Sequence, residues 1–424
     1  MKTSSRRGRA ALAAAASVLF AVTAVAQEDP NLARARRILR KHPLVDGHND
    51  LPWQIREATG VPGDVDGYDL RRKTEGATDF ERLKAGGVGG QFWSVYTPAD
   101  ADDGFARTQL EQIDIARRVI ARYPDRMVLV TTADAMEKAM RQGKIASLLG
   151  MEGGHALENS IGALRAYFDL GVRYMTLTHT KTLDWADAAG DEDRHGGLTP
   201  FGEEVVREMN RLGMLVDLSH VTPATMDDAL RVAEAPVIFS HSSARALCDH
   251  VRDVPDEILR RLPRNGGVIM ITFVASFVSE EYRKAAAPMW DEYKRISAEV
   301  KDPEERKRRL KELSASAPKI PVTIAQVADH IDHVRQVAGV DYIGLGGDYD
   351  GNDAWPQGLE DVSGYPKLFA ELLRRGWTEK DLVKLAQGNL LRVMRSAEAT
   401  ARRLQASRRP SLATIALDAQ ASRP

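Results

Sequence analysis

Apolar runs of strand length alternate along this chain with segments whose apolar positions recur at helical spacing. The runs are Leu44 to Gly47, Gly89 to Tyr96, Ile145 to Met151, Arg173 to Thr178, Met214 to Leu218, Pro236 to Ser240, Val268 to Phe273 and Tyr342 to Gly346. Helical periodicity covers Gly104 to Tyr123, Ser160 to Leu170, Pro200 to Leu212, Pro223 to Val232, Val254 to Leu262 and Thr323 to Val337. Continuous apolar strands separated by helices read as parallel strands, buried on both faces and joined by right-handed crossovers. Eight of them predict an α/β fold, a (β/α)8 barrel of the TIM type. A doubly wound open sheet ranks below it, because the count reaches eight and no glycine-rich phosphate fingerprint follows the first run. Met127 to Thr131 is a further candidate strand, placed at an edge if it forms.

The two ends depart from this alternation. Lys2, Arg6, Arg7 and Arg9 precede the apolar run Ala10 to Ala26, which closes on the small-residue pattern Ala24-Val25-Ala26. That pattern predicts a cleavable signal over 1–26, hence export, with a twin-arginine route open through Arg6-Arg7. A membrane anchor is the weaker reading, since the run falls short of the ~20 residues that span a bilayer and Gln27-Glu28-Asp29 follows it. Residues 27–398 then read as a single (β/α)8 catalytic domain. A charged helical excursion is expected at about 279–319, dense in alternating signs from Glu299 to Glu312. Beyond Met394 the apolar period fades, and 399–424 is expected to be a disordered tail.

Composition adds mainly exclusions. The chain has 43% hydrophobic and 28% charged residues, an ordinary globular balance. Its 59 basic and 60 acidic residues provide no electrostatic case for nucleic acid. Its 1 cysteine, Cys248, rules out an intramolecular disulfide or a thiolate cluster, so any bound metal must rely on imidazole and carboxylate.

Barrel chemistry gathers at the carboxyl ends of the strands, and the polar residues there form a pattern. The first run leads into His48-Asn49-Asp50, the third into Glu152-Gly153-Gly154-His155, and the fourth, fifth and sixth into His179, His220 and His241; the eighth leads into Asp348. At a strand end, the spacing of His48 and Asp50 puts both side chains on one face. His330-Ile331-Asp332 shares the spacing but lies in a helical pattern, where such positions diverge; His330 and His333 are expected at the surface. Concentrating imidazoles and acids at one rim is costly unless they serve a cation, which suggests Zn²⁺ or another first-row divalent ion in an open site. Gly153-Gly154 and Gly346-Gly347 let the backbone crowd the neighbouring acids. Asp348-Tyr349-Asp350-Gly351 opens like a calcium loop but lacks the later ligands. There is no Gly-x-Ser-x-Gly nucleophile elbow, and Ser242 and Ser243 are expected to support His241.

Together, Val45-Asp46-Gly47-His48-Asn49-Asp50-Leu51-Pro52-Trp53, Gln91-Phe92-Trp93-Ser94, Met151-Glu152-Gly153-Gly154-His155, Leu177-Thr178-His179, Val216-Asp217-Leu218-Ser219-His220, Ile238-Phe239-Ser240-His241-Ser242-Ser243 and Gly346-Gly347-Asp348-Tyr349-Asp350-Gly351 resemble the membrane dipeptidase family, also called renal dipeptidase. The resemblance runs in consistent order over about 37–396. It implies an amidohydrolase-type barrel holding two Zn²⁺ per chain that hydrolyses dipeptides through a metal-bridging hydroxide, with tolerance at the C-terminal residue. By motif position, His48 and Asp50 would bind one zinc, His220 and His241 the other, and Glu152 both. His179 would contact substrate or stabilise the oxyanion, Asp348 would handle the proton, and Arg252 would grip the dipeptide carboxylate.

The expected partners are small dipeptides, with no nucleic acid and no stable membrane span after signal removal; a homodimer is a further expectation. The chain departs from mammalian forms, which carry a tyrosine near Ile271-Thr272-Phe273-Val274, a lipid anchor and a linking disulfide. An exported bacterial enzyme, periplasmic or secreted, fits better. Rim chemistry alone leaves open another binuclear hydrolase acting on a lactone, cyclic amide or phosphate ester, or an exported metal- or peptide-binding protein without turnover.

Overall fold

Each of the eight apolar runs becomes a strand, and a short ninth joins them. The structure, a computed structural model, describes residues 29–99 and 104–421, so the expected signal lies outside the described residues. The strands are β1 (Leu44–Asn49), β2 (Val88–Tyr96), β3 (Met127–Leu129), β4 (Ile145–Glu152), β5 (Val172–Thr176), β6 (Leu215–Asp217), β7 (Ile238–Ser242), β8 (Val268–Ile271) and β9 (Ile343–Leu345). All pairings are parallel in the order β2-β1-β9-β8-β7-β6-β5-β4, and β2 pairs with β4 to close an eight-stranded barrel. The ninth strand is β3, outside the ring: it pairs with the start of β4 at Ile145 to Ser147, below the point where β5 takes over that edge at Leu149.

Burial on both faces explains the unbroken apolar runs, because helices cover the outside while side chains fill the interior. Val45, Phe92, Leu148, Tyr174 and Met270 belong to one fully buried cluster. Helices start where the sequence offers caps: Thr199 and Thr222 accept from the amides of Gly202 and Thr225, each followed by a proline in the first turn. Two seams of the barrel have little ladder, with single register pairs at Asp46↔Leu345 and Asp217↔Ile238. Buried acids stitch both. Asp46 accepts from His48 N at 2.9 Å, Gly347 N at 2.8 Å, Gln91 Nε2 at 2.6 Å and the Tyr365 hydroxyl at 2.5 Å. Asp217 accepts from Ser240 N and Oγ, Ser219 N and Thr176 Oγ1.

Two expectations are corrected. The chain beyond 398 is not disordered throughout: the helix Asn389–Ser407 continues with Ala401 and Leu404 buried, and Ala416–Ala421 is helical. Few apolar residues suffice there because polar contacts add to the packing of Ala413 and Ile415 against the core, with Ser411 N donating to Glu208 and Phe201 N to Asp418. His330 is not at the surface. It lies buried on Ile324–Val337, where Nδ1 accepts from Ala244 N at 3.1 Å and Nε2 lies 3.1 Å from the Val278 carbonyl. His333 is half-buried and meets Asp256 at 2.7 Å. Residues 279–319 contain the helices Glu280–Glu299 and Pro303–Ala315, whose charges pair mostly along their own helix, as Arg295 does with Glu292 and Glu299, while Arg309 reaches across to Glu292 at 3.6 Å. No helix among the described residues is long and apolar enough to cross a membrane.

Candidate metal centre at the carboxyl rim

The strands deliver their polar residues to one point. His48 and His241 lie within β1 and β7, Glu152 closes β4, and His179, His220 and Asp348 each follow three residues after a strand ends. His220 and Asp348 adopt left-handed backbone, φ 69° and 63°, a conformation costly for residues with a Cβ and typical of functional turns.

Glu152 sits at the middle. Its Oε2 faces His48 Nε2 at 3.5 Å, while Oε1 faces His220 Nε2 at 3.0 Å and His241 Nε2 at 3.3 Å. Asp50 Oδ2 lies 3.2 Å from His48 Nε2, and Ser94 donates to Glu152 Oε2 at 3.3 Å. Three buried groupings could hold a cation: His48, Asp50 and Glu152; Glu152, His220 and His241; and His48, His241 and Asp348. The first two share Glu152 through opposite oxygens.

This donor set fits divalent cations. Ligand bonds of about 2.0–2.2 Å in tetrahedral geometry put donor atoms roughly 3.3–3.5 Å apart, close to the separations here. Among the described residues, buried His48 Nε2 has carboxylate oxygens at 3.2 and 3.5 Å but no well-aligned hydrogen-bond partner, a deficit that a cation would remove. His220 and His241 bring their Nε2 atoms to 2.9 Å, converging as ligands of one ion do.

The surrounding field separates these groups. Burial opposes ionisation of Glu152, but His48 and hydrogen bonds with His220 and His241 outweigh it and hold the carboxyl well below its usual range. Asp348 is pushed well above that range, mainly by burial. Burial also drives His220 and His241 well down and His179 to about 4, so these rings are neutral near pH 7. His48 moves up despite burial, through Tyr174, Glu152 and Asp50.

The remaining predicted residues flank this core. Asp348 Oδ1 lies 3.9 Å from His48 Nε2, and His179 Nε2 lies 3.8 Å from Glu152 Oε1. The His179 ring is 4.8 Å from that of Tyr96, a neighbour not anticipated from sequence. Arg252 is buried over Phe277, 5.4 Å from the ring centroid, and its Nη1 has no hydrogen-bond partner among the described residues. All eight predicted side chains therefore share one rim.

Sequence reasoning missed the supports. His241 Nδ1 is held by Ser240 Oγ at 2.8 Å, rather than by Ser242 or Ser243, because Ser240 also donates to Asp217 at 2.6 Å. The usable signal was an acid inside an apolar strand, at Asp46 and Asp217, which burial requires to be fully paired.

The chain is also similar to known proteins over most of its length. Residues 32–408 match the family model described as membrane dipeptidase, peptidase family M19. Dipeptidase 3 of Mus musculus is 44% identical over 377 residues, covering 87% of this chain and 68% of the mouse protein. The crystal structure of the probable dipeptidase PvdM from Pseudomonas aeruginosa superposes with TM-score 0.75 at 21% identity, over 88% of this chain and 99% of that one. The metallopeptidase crystallised as dipeptidase AC gives TM-score 0.69 at 25% identity, over 84% and 98%.

Proposed function

The chain belongs to the membrane dipeptidase family and is a metallo-dipeptidase, and from that premise we propose that it hydrolyses dipeptides at a two-zinc centre carried by Glu152. The carrying observation is the division of Glu152, with one oxygen toward His48 and the other toward His220 and His241. His48 and Asp50 would hold one zinc, His220 and His241 the other, and Glu152 both. When bound, the pair supplies hydroxide near neutral pH and polarises the scissile carbonyl, so no serine or cysteine nucleophile is needed.

The chain's own residues do the rest. Asp348 accepts a proton as water oxygen bonds to the carbonyl carbon, then returns it to the leaving amine as the C–N bond breaks. His179, neutral and beside Glu152, donates N–H to the developing oxyanion, an interaction worth about 3 kcal/mol in comparable sites. Arg252 is a buried cation with an unused Nη1, suited to the dipeptide carboxylate. Because a main-chain carboxylate is common to all dipeptides, this contact supports tolerance of the C-terminal residue. Export to a periplasmic or secreted location rests on the basic and apolar pattern of residues 1–26.

The test is metal content and amino-acid release from an L-Xaa-D/L-Xaa dipeptide library, before chelation, after it and after zinc return. Two zinc ions per chain with reversible, metal-dependent release are expected. Turnover of lactones or phosphate esters without dipeptides would overturn the substrate assignment. Arg252→Ala should raise KM for dipeptides while neutral amides lose little; equal losses would refute the carboxylate clamp.

A further inference from the structure

His48 and His241, on opposite sides of Glu152, are supported differently. His241 leans on a hydroxyl that is itself anchored: Ser240 Oγ donates to Asp217, so its oxygen accepts the His241 Nδ1 proton and leaves Nε2 unprotonated. His48 Nδ1 instead meets the Tyr174 hydroxyl at 2.8 Å. That oxygen has no other hydrogen-bond partner among the described residues. Tyr174 is on β5 and His48 on β1, with β2 and β4 between them in the ring, so the bond crosses the barrel interior.

The crossing depends on the neighbouring strand. Gly150 stands in register with Tyr174 on β4, and a Cβ there would overlap the phenol ring and its oxygen. Phe92 braces the ring from another side, with centroids 5.0 Å apart. The His241 ring, 3.9 Å from that of His48, limits rotation on its far side. A glycine and an aromatic brace thus set the ring of the tyrosine whose hydroxyl meets the one nitrogen of His48 turned away from Asp50 and Glu152.

From this geometry we infer that Tyr174 is the positioning residue for the His48 half of the centre, with Gly150 supplying the space its ring needs. The phenol oxygen accepts the Nδ1 proton in the metal-loaded protein, fixing the tautomer whose Nε2 lone pair faces the ion. This inference rests on the two-zinc reading above and adds that each half has its own support, a tyrosine for one and a serine–aspartate pair for the other. Such partners of metal-bound histidines are worth about 10–100-fold in affinity.

Tyr174→Phe keeps the ring and its packing and removes only the oxygen. Chelator-competition titration with zinc should show one of the two ions weakened about 10–100-fold and the other unchanged, with metal-free unfolding as in wild type. Ser240→Ala should weaken the other ion. Unchanged affinities in Tyr174→Phe would overturn the role, as would equal weakening of both ions with loss of metal-free stability, which marks a merely structural residue. Should Tyr174→Phe fail to fold, histidine NMR on zinc-loaded wild type decides: an exchange-protected Nδ1–H on His48 supports the inference, and its absence refutes it. A wild-type protein that takes up no zinc would fail at the earlier reading, whereas normal loading with an indifferent Tyr174→Phe sinks only the positioning role.

Discussion

Glu152 and Asp348 are both buried acids of the same rim, yet their neighbours drive them apart. Within 4 Å, Glu152 meets four imidazole nitrogens, those of His48, His179, His220 and His241, whereas among the described residues Asp348 meets one, His48 Nε2 at 3.9 Å. Burial therefore wins at Asp348 and loses at Glu152. Opposed environments of this kind divide the tasks of holding charge and moving protons. Asp348→Asn should retain both zinc ions and fall at least about 100-fold in kcat, as expected for loss of a general base. Steady-state kinetics with metal analysis checks this; near-normal kcat with full metal content would remove the proton-transfer role. The left-handed backbone at Asp348 favours Asn over Ala as the probe, because Asn tolerates that region.

At the level of elements, the C-terminal segment shows how polar contacts can hold a region whose apolar pattern has faded. Glu208 is buried on Pro200–Leu212 and receives Arg165 at 3.0 Å, Arg211 at 2.8 Å and the Ser411 amide at 3.2 Å. It joins that helix to the strap beyond Ser407. Glu208→Ala should destabilise the protein by about 2 kcal/mol, below the full cost of breaking a buried pair because Arg165 remains partly exposed. Urea unfolding measures the loss, and proteolysis should then cut first beyond residue 407. The charged helices of 279–319 behave differently. Arg308 pairs with Glu305 and Glu312 on its own exposed helix, an arrangement that solvent and salt screen and that adds little to stability.

For the whole molecule, metal and protons act on the same stability. Cations that bind only the folded rim add about 2.7 kcal/mol per site at a hundredfold excess over Kd, so chelation should lower the melting temperature and zinc should restore it. Calorimetry with and without chelator tests this; identical melting would argue against a folded-state metal site. A second dependence comes from His330, which burial pulls down to about 4. Above about pH 6.5 neither folded nor unfolded chain protonates this ring, and its contribution is complete. As pH falls from 6.5 toward 4 the unfolded chain gains a proton that the folded chain refuses, costing about 1.4 kcal/mol per pH unit. His330→Asn should flatten that part of the stability profile relative to wild type. His250, held near 3 by burial and nearby arginines, extends the wild-type slope to lower pH.

The strands, their parallel order and the chemistry of the rim were legible in the sequence for a local reason. A strand buried on both faces must be apolar along its length, so His48, Glu152, His220, His241 and Asp348 stand out where those runs end. The fate of the chain after Met394 and the burial of His330 were not legible, because polar anchors such as Glu208 and Ala244 N are distant in sequence. Nor could one-dimensional pattern pair Tyr174 with His48, or Ser240 with both Asp217 and His241. The Tyr174 contact exists only once β2 closes on β4 and brings β5 and β1 together across the interior, and the Ser240–Asp217 contact only once β6 and β7 lie side by side. Residue type and local period thus determined which groups arrive at the rim, while closure of the barrel decided which of them touch.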